Sequence, residues 1–150
     1  MEASGHTGYR DGAMYLADKG VPMSLCTALS VGDLNRARAL LAAHPGAIHE
    51  RGPHDFAPMF YPAIGGGNVE AAALLLEHGC DVDQESMGST GLHEAAARGH
   101  VELAAFLLEK GAALDAVGYK EDRAGGTPLQ AAQAYKKDAM ITFLKERGAS

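Results

Sequence analysis

The chain has 150 residues, of which 21% are charged and 47% are hydrophobic, and it can therefore form one globular domain with its own core. There are 13 Lys and Arg residues against 19 Asp and Glu residues, which gives a formal net charge of −6. This acidic balance argues against binding to nucleic acid or to an anionic membrane surface.

The compartment is indicated by the cysteines and by the N-terminal residues. Cys26 and Cys80 are too few for a disulfide framework, and free thiols are typical of a reducing compartment. The N-terminal stretch MEASGHTGYRDG lacks the apolar segment of a signal peptide. No apolar run approaches the ~18 residues of a membrane-spanning helix. We therefore expect a cytoplasmic protein without a membrane segment.

The predicted elements, taken in chain order, form a repeat of a short helix with small apolar residues, a glycine, and a longer helix. The longer segments are GYRDGAMYLADKG at Gly8, GDLNRARALLAAHPG at Gly32, GNVEAAALLLEHG at Gly67, GHVELAAFLLEKG at Gly99 and KKDAMITFLKERG at Lys136. The apolar face of one helix pair is too large to bury alone, and stacked neighbours would bury it. The repeat therefore predicts an all-α solenoid.

Three glycines, Gly65 to Gly67, precede the third of these segments and resemble a loop that binds phosphate at a helix N-terminus. However, no Lys–Ser/Thr pair follows them and no strand precedes them. The Gly67 position also recurs in the other units, which is typical of architecture rather than of a site. We interpret it as a tight turn between two helices, where glycine readily adopts a positive φ.

The repeat resembles the ankyrin family in two stretches, STGLHEAAARGHVELAAFLLEKGAALDAVG and GTPLQAAQAYKKDAMITFLKERGA, the second with the Thr-Pro-Leu signature at Thr127–Leu129. The resemblance implies one ankyrin-repeat domain over residues 1–150, with about four and a half units. The units are a partial one at about 1–22, with an outer helix near Asp11 to Lys19, and then 23–53, 54–86, 87–118 and 119–150. An insertion near 117–126 predicts a longer finger or surface loop in the last unit.

The resemblance implies that each unit is a hairpin-like finger followed by an inner and an outer helix. Thr90 and Thr127 are expected to cap the inner helices, and Pro128 suits the first helical position. The second full unit, at 54–86, departs from the pattern. Pro58 takes the Thr position, and Pro62 falls where a helix needs its N–H. We predict that this inner helix is short and starts late, near Pro62.

Catalytic and metal-binding chemistry is not indicated. The seven histidines show no i, i+4 pair and no Cys-x-x-Cys occurs, so we expect no metal, no cofactor and no catalytic residue. His93 is implied to hydrogen-bond Thr90 and the backbone of its own repeat, and His100 is expected to have a role in the turn. Cys26 is expected to be half-buried in the first inner helix.

The family's binding mode places a partner on the concave surface made by the fingers and inner helices. The expected partner contacts are Asp55, Phe56, Met87, Ser89, Arg98, Tyr119, Arg123 and Tyr135. His54, Ser86, Ser30, Val31 and Ala97 are expected to lie on the same surface. Phe56 has an alternative, in which its ring folds back onto Phe60 and Tyr61 as a local cluster.

Two functions remain open from the sequence. The first is a non-catalytic protein-interaction module, acting as a monomer or as a segment of a longer repeat array. The second is a small enzyme or ligand-binding protein that uses a pocket at the disrupted second unit, over Tyr61–Gly67. A regulatory or structural segment of a larger array, with no partner of its own, is a third reading.

Overall fold

The computed structural model of the chain describes residues 23–52, 55–86, 88–118 and 126–149. Within these ranges the fold is helical and has no β-strand. The α-helices are, in order, α1 (Leu25–Val31), α2 (Leu34–Ala43), α3 (Tyr61–Ile64), α4 (Val69–Glu77), α5 (Gly91–Arg98), α6 (Val101–Glu109), α7 (Pro128–Ala134) and α8 (Asp138–Glu146). Short 3₁₀ helices occur at Pro45–His49 and Pro58–Phe60. The helix expected near Asp11 to Lys19 lies outside the described residues.

The helices form four pairs that stack in chain order. The odd-numbered inner helices contact one another as α1–α3–α5–α7, and the even-numbered outer helices contact one another as α2–α4–α6–α8. One continuous core runs between the two rows, with Leu29, Leu75 and Leu107 almost fully buried. Ala95 and Ala96 of α5 are completely buried, because small side chains allow adjacent inner helices to approach closely. The predicted all-α solenoid is confirmed.

Three of the inner helices are capped by their own residues. The Oγ of Ser24 accepts a hydrogen bond from the Thr27 N–H at 3.2 Å. In α7, the Oγ1 of Thr127 accepts from the Gln130 N–H, and the Gln130 Oε1 accepts in return from the Thr127 N–H at 3.0 Å. Thr90 occupies the cap position of α5, and Pro128 is the first residue of α7. The predicted cap positions are therefore confirmed.

The second inner helix is shorter than the others, as its sequence predicts. A 3₁₀ turn at Pro58–Phe60 leads into α3, which has only 4 residues, Tyr61–Ile64. Ala57 precedes the turn and supplies no side-chain cap. Pro58 and Pro62 have no N–H to donate, so the segment cannot form a continuous helix with a normal first turn.

The turn between the inner and outer helices has the same geometry in each unit. Gly32, Gly67 and Gly99 have φ values of 80°, 81° and 76°, and the corresponding residue of the last unit, Lys136, has a φ of 56°. The predicted tight turn is confirmed at these positions. Gly67 also lies against the next unit, since a Cβ added there would be 2.8 Å from the ring of His100. In the same way, a Cβ on Gly99 would be 3.1 Å from the side chain of Lys137.

The structure describes in part the third finger, which precedes α5, and the finger with the insertion, which precedes α7. Ser86 and Ser89 exchange backbone hydrogen bonds of 2.9 Å each way around the third finger. Gly118 and Gly126 do the same at 2.8 and 3.3 Å, which closes the base of the insertion. Residues 119–125, between these two glycines, lie outside the described residues.

We predict that Gly67→Ala destabilises the fold more than Gly79→Ala. Both glycines have a positive φ, which costs an alanine about 1–2 kcal/mol, but a Cβ on Gly79 meets nothing within 4 Å. The contact with His100 should add about 1–3 kcal/mol at Gly67. Urea unfolding of both variants measures the difference, and equal losses of unfolding free energy would contradict the packing role of His100.

We also predict that Lys136→Gly stabilises the protein, because Lys136 carries a Cβ in the left-handed region. The expected gain in unfolding free energy is about 0.5–1 kcal/mol, after allowing for the greater freedom of glycine in the unfolded chain. Gln133→Gly, at an exposed position in α7, is the control and should destabilise. A lower melting temperature for Lys136→Gly than for the wild type would show that the prediction is wrong.

Candidate functional site

The glycine run at Gly65–Gly67 cannot hold a phosphate with its amides, because all of them already donate to backbone carbonyls. The Gly65 N–H donates to the Tyr61 carbonyl at 2.7 Å, and the Gly67 N–H donates to the Pro62 carbonyl at 2.9 Å. The Gly66 N–H donates to the Ala63 carbonyl at 3.3 Å. Gly65 has a second constraint, since a Cβ there would lie 2.9 Å from the carbonyl oxygen of Ser30. The three glycines therefore form a turn that packs against α1.

The disrupted second unit is filled rather than hollow. Tyr61, Pro62 and Ala63 are all buried, and the Tyr61 hydroxyl lies close to Gly52 and Cys26. An open depression of about 290 Å³ lies elsewhere, on the outer helices α4 and α6. It is lined by Ala73, Leu76, Glu77, Phe106 and Lys110. The geometry does not favour a ligand pocket over Tyr61–Gly67.

The two cysteines are free and poorly suited to nucleophilic chemistry. Cys26 is 3% exposed, so the expectation that it is half-buried was wrong, because α3 and Gly52 close over it. Burial, with the nearby Glu50 carboxylate, raises the pKa of Cys26 to about 12. Burial, with Asp81, likewise raises the pKa of Cys80 to about 12. Neither thiol is therefore an activated nucleophile at neutral pH.

His93 connects two units through its imidazole. Its Nδ1 accepts a hydrogen bond from the Thr90 N–H at 3.1 Å, which requires a lone pair on Nδ1 and places the proton on Nε2. Nε2 then donates to the carbonyl of Gly126 at 2.8 Å, at the base of the insertion. The side chain is buried, with 5% exposure. The expected bond to Thr90 is confirmed, and His93 also fixes the next finger.

The expected partner contacts differ in how exposed they are. Tyr135 is 48% exposed at the end of α7, and Asp55 is exposed with a φ of 62°. Ser89 is half-buried beside the third finger. Arg98 is half-buried, and its Nε donates to Glu94 Oε2 at 3.2 Å. Met87, Tyr119, Arg123 and His54 lie outside the described residues.

Phe56 packs into a local aromatic cluster. Its ring centroid lies 5.5 Å from that of Phe60 and 6.4 Å from that of Tyr61, and the residue is half-buried. The structure thus favours the alternative that the sequence left open for Phe56. Its ring helps to cover the short second inner helix.

Three further residues expected on the surface are buried instead. Ser30 and Val31 are each 4% exposed, because the Gly65 turn of the next unit packs against the end of α1. Ser86 is 1% exposed, and its Oγ accepts hydrogen bonds from the Ala57 N–H and from Arg51 Nη1. Placing these residues on the surface was therefore wrong. Ala97 is half-buried.

Val117 is a surface residue that the sequence reasoning missed. It is 75% exposed and directly precedes Gly118, at the base of the insertion. Val117 and Tyr135 are the exposed large hydrophobic residues of the part of the chain that the structure describes. Val117 adjoins Gly118, which pairs with Gly126 two residues before α7, and Tyr135 directly follows the last residue of α7. An apolar residue beside an insertion is the signal that could have identified Val117.

Comparison with known families agrees with this architecture. A family model described as ankyrin repeats (3 copies) matches residues 25–117 and 63–150, and so covers most of the chain. The chain belongs to the ankyrin-repeat family. Ankyrin repeats are generally protein-interaction modules and are typically non-catalytic. A comparison with curated proteins gives no match.

Among the described residues, no group of three or more His, Cys, Asp or Glu side chains could hold a metal ion. In the same ranges, no helix has the length and apolar character needed to cross a membrane.

His100 gives this ankyrin stack a pH-dependent contact. Burial lowers the pKa of His100 below the usual 6.5, and the charges of Arg98 and Lys137 lower it further. A hydrogen bond to the Ala63 backbone raises the pKa but does not cancel this effect. The unfolded chain therefore binds more protons than the folded one as the pH falls past 6.5. The contribution of neutral His100 to stability is complete above this value and is lost at lower pH.

We predict that replacing His100 reduces the acid sensitivity of the fold. His100→Gln should lower the stability at pH 7.5, because it removes the ring that packs on Gly67. The difference between variant and wild type should then shrink as the pH falls from about 7 toward 5. Urea unfolding of both proteins across this range provides the measurement. A difference that stays constant with pH would contradict the assignment.

Proposed function

We propose that the chain is a non-catalytic module that binds a protein partner through the surface formed by its fingers and inner helices. The observation that carries this proposal is the exposure of two large apolar side chains, Tyr135 directly after the last inner helix and Val117 beside the bridge that precedes this helix. Aromatic residues on a polar surface are typical interface anchors. Gly118, next to Val117, pairs with Gly126 at the base of the insertion.

Polar groups near these anchors can provide selectivity. Arg98 and Glu94 form a half-buried ion pair on the neighbouring inner helix α5. Gln130 and Gln133 are exposed on α7 between Val117 and Tyr135. Met87, Tyr119 and Arg123 complete the proposed contact set on the fingers. The acidic net charge of −6 favours a protein partner with basic surface and disfavours nucleic acid.

The alternative, an enzyme or ligand-binding protein at Tyr61–Gly67, has less support. The backbone amides of its glycines are already bonded, and Tyr61 and Pro62 are buried in the stack. Free cysteines favour a reducing compartment, so we propose that the module acts in the cytoplasm, as a monomer or within a longer array.

A capture experiment tests the proposed surface. We expect a Val117→Ser/Tyr135→Ser variant to retain the partner about tenfold less than the wild type from a lysate of the source cells, because exposed anchors dominate interface energies. A second variant, Met87→Ser/Tyr119→Ser, tests the fingers. All proteins are first shown to melt at the same temperature.

Glu102→Ala/Glu109→Ala is the matched control, since both residues are exposed on the outer helix α6. The control should retain the partner as the wild type does. If the same proteins bind every variant equally, or if only the outer-helix variant loses them, the proposed surface is wrong. If the wild type retains nothing, the ligand-binding alternative gains weight.

A further inference from the structure

The second inner helix differs from its neighbours in the origin of its capping groups. In α1, α5 and α7 the cap residue belongs to the same unit, at Ser24, Thr90 and Thr127. The segment that leads into α3 has Pro58 at this position and no cap of its own. Its first backbone amides therefore need acceptors from elsewhere, because a buried N–H without a partner is costly.

The third finger supplies these acceptors. The Met59 N–H donates to Gln84 Oε1 at 3.1 Å, and the Ala57 N–H donates to Ser86 Oγ. The other end of the Gln84 amide donates through Nε2 to the Ile48 carbonyl at 2.9 Å. Gln84 thus joins the first unit, the second unit and the third finger, and Arg51 Nη1 supports Ser86 at 2.8 Å.

The third unit also holds the opposite end of the short helix. The side chain of His100 lies within interaction distance of the backbone of Ala63, in the last turn of α3. The same ring packs on Gly67, where no Cβ would fit without displacing it. Residues 57–68 are therefore held at both ends by side chains from outside the segment, those of Gln84 and Ser86 at one end and that of His100 at the other.

We propose that residues 57–68 form a conformational hinge, closed by Gln84 and Ser86 at one end and by His100 at the other. The segment contributes only four α-helical residues and has two prolines and three glycines, so its own backbone adds little stability. It opens before the other inner helices. Because α3 packs between α1 and α5, opening of the segment allows α1 and α2 to change orientation relative to α5–α8.

Hydrogen exchange of backbone amides in the full chain tests the hinge without any substitution. In the wild type, the amides of Gly65, Gly67 and Asn68 should exchange faster than the hydrogen-bonded amides of α1, α5 and α7. Equal protection of all four inner helices, or lower protection in α5 or α7, would overturn the proposal.

Two substitutions test the two ends separately. Gln84→Ala and His100→Ala should each accelerate exchange of the same amides, from Ala57 to Asn68, about tenfold, while α7 and α8 remain unchanged. Gln130→Ala is the matched control, because it removes a similar side-chain acceptor within the last unit. It should accelerate exchange in α7 and leave residues 57–68 as they are.

The pattern of exchange separates a hinge from two local contacts. If Gln84→Ala affects only Met59 and His100→Ala affects only the turn at Gly67, the two ends do not close one element and the proposal fails. It fails equally if either variant accelerates exchange throughout α5–α8. Should Gln84→Ala not fold, Gln84→Glu keeps the acceptor for Met59, replaces the donor to Ile48 by an oxygen and adds a negative charge. This variant should still accelerate exchange over residues 57–68.

Discussion

The close approach of one unit to the next is the constraint on which the rest of this structure depends. At Gly65, Gly67 and Gly91 an added Cβ would lie within 3 Å of an atom from the adjoining unit. Interiors are packed to the density of organic crystals, so there is no room for the extra atom. Close stacking explains why α5 carries buried alanines, and why Ser30 and Val31 are covered by the neighbouring turn.

The same spacing determines how buried polar groups are satisfied. His93 reaches the carbonyl of Gly126, and Gln84 reaches the carbonyl of Ile48. Each of these bonds crosses a boundary between units. Stability in such a stack depends on contacts between nearest neighbours, and a weakness within one unit can be offset by the unit beside it. The second unit shows this at Gly67, where the ring of His100 from the next unit packs on the turn.

The sequence predicted the features that depend on local spacing. The period located the turns at Gly32, Gly67 and Gly99, and Pro62 indicated the short second helix. Exposure could not be predicted in the same way, because it depends on which atoms of a neighbouring unit cover a position. Ser86 is a polar finger residue and is nevertheless buried, whereas Val117 is apolar and exposed. The hydrogen bonds of Gln84 were also not predictable, since they join residues 25 and 36 positions apart.

Burial in the stack also explains the perturbed ionisable groups. An active site brings such groups together in a cleft, where each shift in pKa serves the reaction. Among the described residues, the pKa values of Cys26 and Cys80 are raised to about 12 mainly by burial, which makes both thiols less reactive. His100 is shifted downward where its ring packs between two units. These shifts follow from stacking, and in the function that we propose recognition depends on side chains at the fingers and at the ends of the inner helices.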